Sequence, residues 1–251
     1  VTEVAAPQYD QVLDFSEGLA VVELNDKWGF IDQTGKVVIP LQYDDAFNFV
    51  EGLAPVEENG KRGYIDQTGK VVIPCQYDWS WNFSEGLAAV EVDGKWGYID
   101  QTGKVVVPLQ YDGASYFSEG LSEVKLDGKW GYIDKAGKAV IPFQYDSAFW
   151  FFEGLAQVQL DGKWGVVDAS GQEVTSCKYV RMNDYFEGLA AVWADGKWGY
   201  IDQTGREVIP FQYDSAGYFS EGFAPVEKGG KWGFIDRAGK EVVPCKYVHV
   251  H

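Results

Sequence analysis

Apolar and polar positions along this chain alternate in short runs that return at one fixed interval, the spacing from Trp96 to Trp130 and again from Trp130 to Trp164. In Gly86-Leu87-Ala88-Ala89-Val90-Glu91-Val92, the residues Ala88, Val90 and Val92 share one face by period two while Leu87 lies on the other, which predicts a strand. Asp93-Gly94 follows, the dipeptide best suited to the positive φ angles of a two-residue hairpin turn, and Lys95 to Asp100 reads as a second, antiparallel strand. Asp100-Gln101-Thr102-Gly103 predicts a turn whose amides the Asp carboxylate caps. A third strand then runs from Lys104 to Val107 and ends at Pro108, which has no N–H for a ladder. The unit is a three-stranded antiparallel meander, and the stretch Gln110 to Glu119 is either a fourth short strand or the crossover to the next unit.

The Trp-Gly pair recurs at Trp28, Trp96, Trp130, Trp164, Trp198 and Trp232, with Arg62 standing in once, and no insertion disturbs the register. A repeat of this length is the mark of a solenoid, propeller or array, in which one unit cannot bury its apolar faces alone. Seven complete units cover residues 9–246, with partial flanking strands in 1–8 and 247–251, and no composition shift divides the chain, so a single repeat domain over 1–251 is expected. No segment carries apolar residues at helical spacing between its many Gly and Pro, which makes the fold all-β.

The unit Asp-Gly-Lys-Trp-Gly-Tyr-Ile-Asp-Gln-Thr-Gly-Lys-Val-Val, seen at 93–106 and preceded by Phe-Ser-Glu-Gly-Leu-Ala at 83–88, resembles the WG (KWG) repeat of many bacterial proteins. The resemblance spans essentially the whole chain and implies a bacterial β-repeat protein. It attaches no catalytic residues, and the chain departs from it at Arg62 and at Thr175-Ser176, where Ile-Pro is missing. Seven units favour a closed, seven-bladed β-propeller-like ring. The alternative is an open β-superhelix or solenoid, because Glu3 to Asp10 supplies a third-strand element that Glu241 to Tyr247 supplies again, and the repeat is short for a four-stranded blade.

Charge narrows the partners. Asp and Glu outnumber Lys and Arg by 38 to 21, a net charge of −17, so the average field repels nucleic acid and anionic lipid. No apolar run is long enough for a membrane span, so no insertion is expected. The first residue is Val1 rather than Met, which fits removal of a leader, as in a secreted or cell-surface bacterial protein, or excision from a longer chain. Cys75, Cys177 and Cys245 share one repeat phase, and equivalent positions in different units are too far apart to pair, so free structural thiols are expected.

The residues that could carry chemistry are repeated ones and variable ones. Asp32, Asp66, Asp100, Asp134, Asp168, Asp202 and Asp236 read as turn caps before they read as cation ligands. Glu17 and its equivalents precede the turn Gly in every unit, whereas acid/base catalysis needs one asymmetric carboxylate pair, so no catalytic residue, metal or cofactor is assigned. His249 and His251 sit at the C-terminus and read as a terminal pair rather than a metal site. The repeated Trp reads as a packing wedge, with Arg62 marking an edge or a wetter spot.

Rings outside the repeated phase are freer to serve a surface. Trp79, Trp81, Tyr116, Trp150, Trp193 and Tyr218 are the ligand-binding candidates, with Phe47 and Phe149 at related phases. The function that follows is a non-enzymatic binding or scaffold module for a protein, peptide or glycan partner, the glycan needing planar polar groups such as Asn48 and Asn82 beside the rings. A self-assembling or surface component is the alternative, and a carboxylate-pair glycoside hydrolase or lyase a weaker one.

Overall fold

Runs of Val, Ala, Leu and Ile bounded by Gly-containing turns form strands, and among the described residues every regular element is β. The computed structural model describes residues 9–248. The N-terminal copy of the third-strand element up to Gln8, and the terminal pair His249 and His251, therefore lie outside the described residues. In the first repeat β1 (Gln11–Val12), β2 (Leu19–Leu24), β3 (Lys27–Asp32) and β4 (Val37–Tyr43) make one antiparallel sheet in sequential order. Among the described residues that four-stranded sheet occurs seven times, the last one ending at Tyr247.

Four strands fit in so short a repeat because the first of them, Gln11–Val12, is a single pair of residues. The stretch left open between crossover and strand is thus both: Gln11 and Val12 pair with Glu23 and Val22, and the chain then loops into a second tight turn. That turn is the Glu-Gly pair, with Glu17 at φ 50° and Gly18 at φ 88° between the bridged residues Ser16 and Leu19.

The third long strand corrects the sequence expectation. It does not stop at the Pro but runs through it, from Val105 to Tyr111 in the third sheet, because the strand lies at the sheet edge and bulges there. Trp96 faces Tyr111 while Tyr98 faces Val107, so the bulge falls opposite Gly97. A Cβ on Gly97 would meet Val107 O at 2.5 Å and Leu109 N at 2.8 Å. The Gly of the Trp-Gly pair is therefore fixed by the bulged backbone pressing on it. Replacing Ile-Pro by Thr175-Ser176 leaves the strand Glu173–Tyr179 intact.

Internal contacts divide the chain into an N-terminal unit, Val1–Phe143, and a C-terminal unit, Gln144–His251. Within the N-terminal unit, Leu53, Tyr64, Ile73 and Tyr77 of one sheet pack on Ala88, Val90 and Ile99 of the next. Leu87, Ala89, Tyr98 and Val107 on the opposite face pack on Val124 and Ile133 of the one after. Every residue of Leu87-Ala88-Ala89-Val90 is thus buried, each large one contributing about 2 kcal/mol. The C-terminal unit repeats the arrangement, with Leu189, Tyr200 and Ile209 against Ala224, Val226 and Ile235. Its last sheet leaves Phe223 43% exposed where Leu189 at the same phase is 6%.

Candidate functional site

The loop between the first two strands of each sheet carries most of the variable rings, and the sheet before it holds that loop from behind. Tyr64 Oη donates to Trp81 O at 2.6 Å, Tyr98 Oη to Ser115 O at 3.0 Å and Tyr200 Oη to Gly217 O at 2.9 Å. Each Tyr also packs on a Phe of the loop, with centroids 4.8 Å apart for Tyr64–Phe83 and 5.0 Å for Tyr200–Phe219. Ser16 Oγ and Ser84 Oγ donate to the carbonyls of Phe49 and Phe117 in the following loop, at 2.6 and 2.7 Å.

In the N-terminal unit Phe47, Arg62, Trp79, Trp81, Asn82 and Tyr116 line a pocket of about 360 Å³. Three of the sequence-predicted site residues, Trp79, Trp81 and Tyr116, are thereby brought together. Trp79 and Trp81 are exposed and meet edge to face, with centroids 6.4 Å apart, and the Trp81 indole donates to Ala114 O at 3.2 Å. Arg62 is neither at an edge nor wet, contrary to expectation: it is 4% exposed. Its guanidinium lies 3.6 Å from the Trp79 ring centroid and 4.6 Å from that of Phe47, and it pairs with Glu57 at 3.3 Å and Asp45 at 3.4 Å. Two rings and two carboxylates together replace the water it gives up. Burial pushes the Asp45 carboxyl up, with Arg62 opposing the shift.

The C-terminal unit gathers a larger aromatic surface. Phe149, Trp150, Phe152, Phe186 and Tyr218 are between 41% and 59% exposed. Phe149 stacks on Trp164 at 5.4 Å, Phe149 meets Trp150 edge to face at 6.0 Å, and Phe186 contacts Tyr218 at 4.8 Å. A pocket of about 310 Å³ is lined by Phe149, Trp150, Phe152, Tyr185 and Phe186 with Gln157 and Asp184. A second, of about 530 Å³, adjoins it through Phe149 and Phe186 and includes Trp164, Arg181 and Tyr218. Trp150 and Tyr218 of the predicted set belong to this surface. Trp193 does not: it is on the strand Leu189–Ala194, pairs across to Arg181 and Trp198, and packs half-buried on the core.

Phe152 and Phe186 went unrecognised in the sequence, although the signal was there. They occupy the phase where Ser16 and Ser84 clasp the next loop, and a Phe in that place has no hydroxyl to give. The pocket itself follows from a second departure. The Tyr that holds the loop is Val166 in this repeat, and the loop Phe is Tyr185, whose hydroxyl donates instead to Asp202 O at 3.2 Å. Gln157 takes over the lost tie, donating to Asn183 O and to Asp184 Oδ1, both at 3.1 Å.

The repeated carboxylates have structural partners. Asp32 Oδ1 accepts from Thr34 N at 2.8 Å, Thr34 Oγ1 at 2.6 Å and Lys36 N at 3.1 Å, the turn cap the spacing implied. The Thr34 hydroxyl, above all, holds this carboxyl below its usual range. Glu17 Oε2 accepts from Gly52 N at 3.0 Å and Gln67 Nε2 at 3.1 Å, and Glu51, Glu85, Glu153 and Glu187 likewise accept from the repeat that follows. One carboxylate stands apart. Glu123 is buried with Oε2 unpartnered, and burial pushes its pKa up to about 7, against hydrogen bonds from its own backbone and Ser115.

With this geometry in place, the repeat is matched by a known repeat family. The sequence profile described as WG containing repeat matches residues 2–28, 28–61, 63–96, 96–130, 130–164, 164–198, 198–232 and 232–251. No curated protein matches the chain in sequence. Among solved structures, a eukaryotic initiation factor superposes with a TM-score of 0.55 at 13% identity, over 90% of this chain and 73% of that one. Hsv2 of Kluyveromyces marxianus gives 0.48 at 9% identity, over 93% and 96%. The extracellular domain of a putative hybrid two component system from B. thetaiotaomicron gives 0.39 at 12%, over 95% and 42%. At such identities the likeness to the initiation factor concerns the fold alone.

Proposed function

The chain belongs to the family of WG-containing β repeats, and from that premise we propose that it is a non-enzymatic binding or scaffold module whose variable loop rings dock a polypeptide partner. The observation that carries the reading is the gathering of Phe149, Trp150, Phe152, Phe186 and Tyr218, all exposed, on loops that a rigid sheet frame holds in place. Exposed rings clustered around a pocket are the usual anchors of protein interfaces, because each brings large apolar area at little conformational cost. The net charge of −17 favours a basic partner. The tying of Glu17, Glu51, Glu85 and Glu187 into backbone amides of following turns weighs against an acid/base role for that row.

A glycan partner is a second reading, favoured by one feature of the N-terminal unit: the exposed Trp81 ring lies beside the Asn82 amide in one pocket. A combined peptide and glycan array, probed with the full chain, tests both. Loss of a peptide signal in Trp150→Ala/Phe186→Ala supports the main reading. Loss of a glycan signal in Trp79→Ala/Trp81→Ala instead selects the second, and silence on both arrays removes the binding module.

A further inference from the structure

We propose that the pocket between Trp150, Phe152 and Phe186 is an aromatic cage for a quaternary ammonium group. The proposal rests on the binding-module reading and narrows it to the chemistry of the anchoring group. Rings from Phe149, Trp150, Phe152, Tyr185 and Phe186 line the cavity, together with Leu155 and Ala156, and among the described residues the charged side chain in its wall is Asp184. The faces of aromatic rings are negative, so a cation surrounded by several of them gains more than a neutral group of equal size. Asp184 supplies the balancing charge, and the Gln157 amide at 3.1 Å fixes the direction of its carboxylate. Gln157 is itself buried and held at its other contact by Asn183 O, so the carboxylate is mounted on a rigid support.

The N-terminal unit shows the same chemistry satisfied from within. There the Arg62 guanidinium fills the space between Phe47 and Trp79, with Asp45 and Glu57 as counter-charges. At the equivalent places of the C-terminal unit the inner position is Trp164, which stacks on Phe149, and Arg181 lines that slot from the short strand; the cage is the cavity beside it, sharing Phe149, Gln157, Asp184 and Phe186, and among the described residues no cationic side chain lines the cage itself. In the cage, rings and a carboxylate form the wall without a lining cation.

Hydrogen-bond supply decides what kind of cation fits. A primary ammonium has three donors and a guanidinium five, and each donor buried without an acceptor costs free energy. The cage walls are rings and alkyl groups, with few acceptors besides Asp184, one of whose oxygens is already engaged by Gln157. A trimethylammonium group carries charge with no N–H to satisfy, and its methyl groups suit apolar walls. The acidic chain as a whole attracts such a cation.

Titration of the full chain with choline and with its neutral isostere 3,3-dimethylbutan-1-ol, followed by Trp fluorescence and calorimetry, separates charge from shape. Choline is expected to bind about tenfold more tightly than the isostere. Asp184→Asn, an isosteric change at an exposed side chain, should remove most of that difference, and Phe186→Ala should abolish binding with the urea midpoint unchanged. Peptides carrying lysine or trimethyl-lysine then distinguish a partner's side chain from free choline as the source. Equal binding of choline and the isostere, or binding of neither, overturns the cage. The array result above is independent of both outcomes, so a polypeptide-docking surface survives that failure if its peptide signal persists.

Discussion

The aromatic slots of the two units use the same residue types in exchanged places. In the N-terminal unit the inner strand position is Arg62 and the short-strand position Trp79. In the C-terminal unit, at the same two phases, they are Trp164 and Arg181. Arg62, placed inside, is buried between two rings and paired there with Asp45 and Glu57. Arg181, placed outside, is exposed, and the inner place goes to a ring that stacks on Phe149. A regular frame thus makes one cavity that buries its cation and another that keeps it exposed in the wall beside the rings. The contrast extends to the neighbouring phases, where Glu123 matches Gln157 and Ser84 matches Phe152.

The largest expected effect concerns Glu123 and Gln157, both buried at one phase, the first with an unpartnered oxygen and the second donating two hydrogen bonds from its amide. The Glu123 carboxyl keeps its proton in the folded chain up to about pH 7, while the unfolded chain releases it near the ordinary value of 4.5. The folded state therefore binds more protons in that window, and stability falls as pH rises through it, by on the order of 3 kcal/mol in all. Glu123→Gln should remove this slope and be the more stable protein at pH 8. Urea midpoints at pH 5, 6, 7 and 8 check it, and parallel curves for the two proteins would break the comparison.

Arg62→Ala comes next. Taking away the guanidinium strands two carboxylates that are about a third exposed and leaves a gap between Phe47 and Trp79, at a cost of about 2 kcal/mol, below the full cost of a broken buried pair because water reaches both acids. Arg181→Ala should cost less than about 0.5 kcal/mol. Equal losses in urea denaturation would mean that the exchange of places has no energetic content. The smallest effect is at the loop clasp. Ser84→Ala loses one hydrogen bond, about 1 kcal/mol. Phe152→Ser should leave stability unchanged, since that ring is 59% exposed, and should weaken choline binding by removing a cage wall. A destabilised Phe152→Ser would recast the ring as core.

Much of the frame was legible in the residues. The Asp-Gly hairpins, the Asp turn caps and the all-β character follow from local rules that act over a few residues. The fourth strand was harder, because a pair such as Gln11-Val12 carries no periodicity; only its pairing with Glu23 and Val22 makes it a strand. Pro108 misled for a related reason: at a bulged edge the missing N–H costs nothing. Of the predicted rings, Trp79, Trp81, Tyr116, Trp150 and Tyr218 share loop phases or line the same pockets, whereas Trp193 is on a strand against the core.

By itself the sequence determined a β meander repeated at constant spacing, its turns and its acidic charge, since each depends on backbone preference and composition along one stretch of chain. Tertiary structure alone decided which side chains share a cavity and which charges lose their water. Arg62 is buried, Glu123 is left with an unpaired oxygen, and Val166 with Tyr185 leaves the place where Gln157 and Asp184 meet the rings of Phe149, Trp150, Phe152 and Phe186. Each outcome depends on residues far apart in the chain packing face to face, and packing and desolvation act between such residues only once the sheets have stacked.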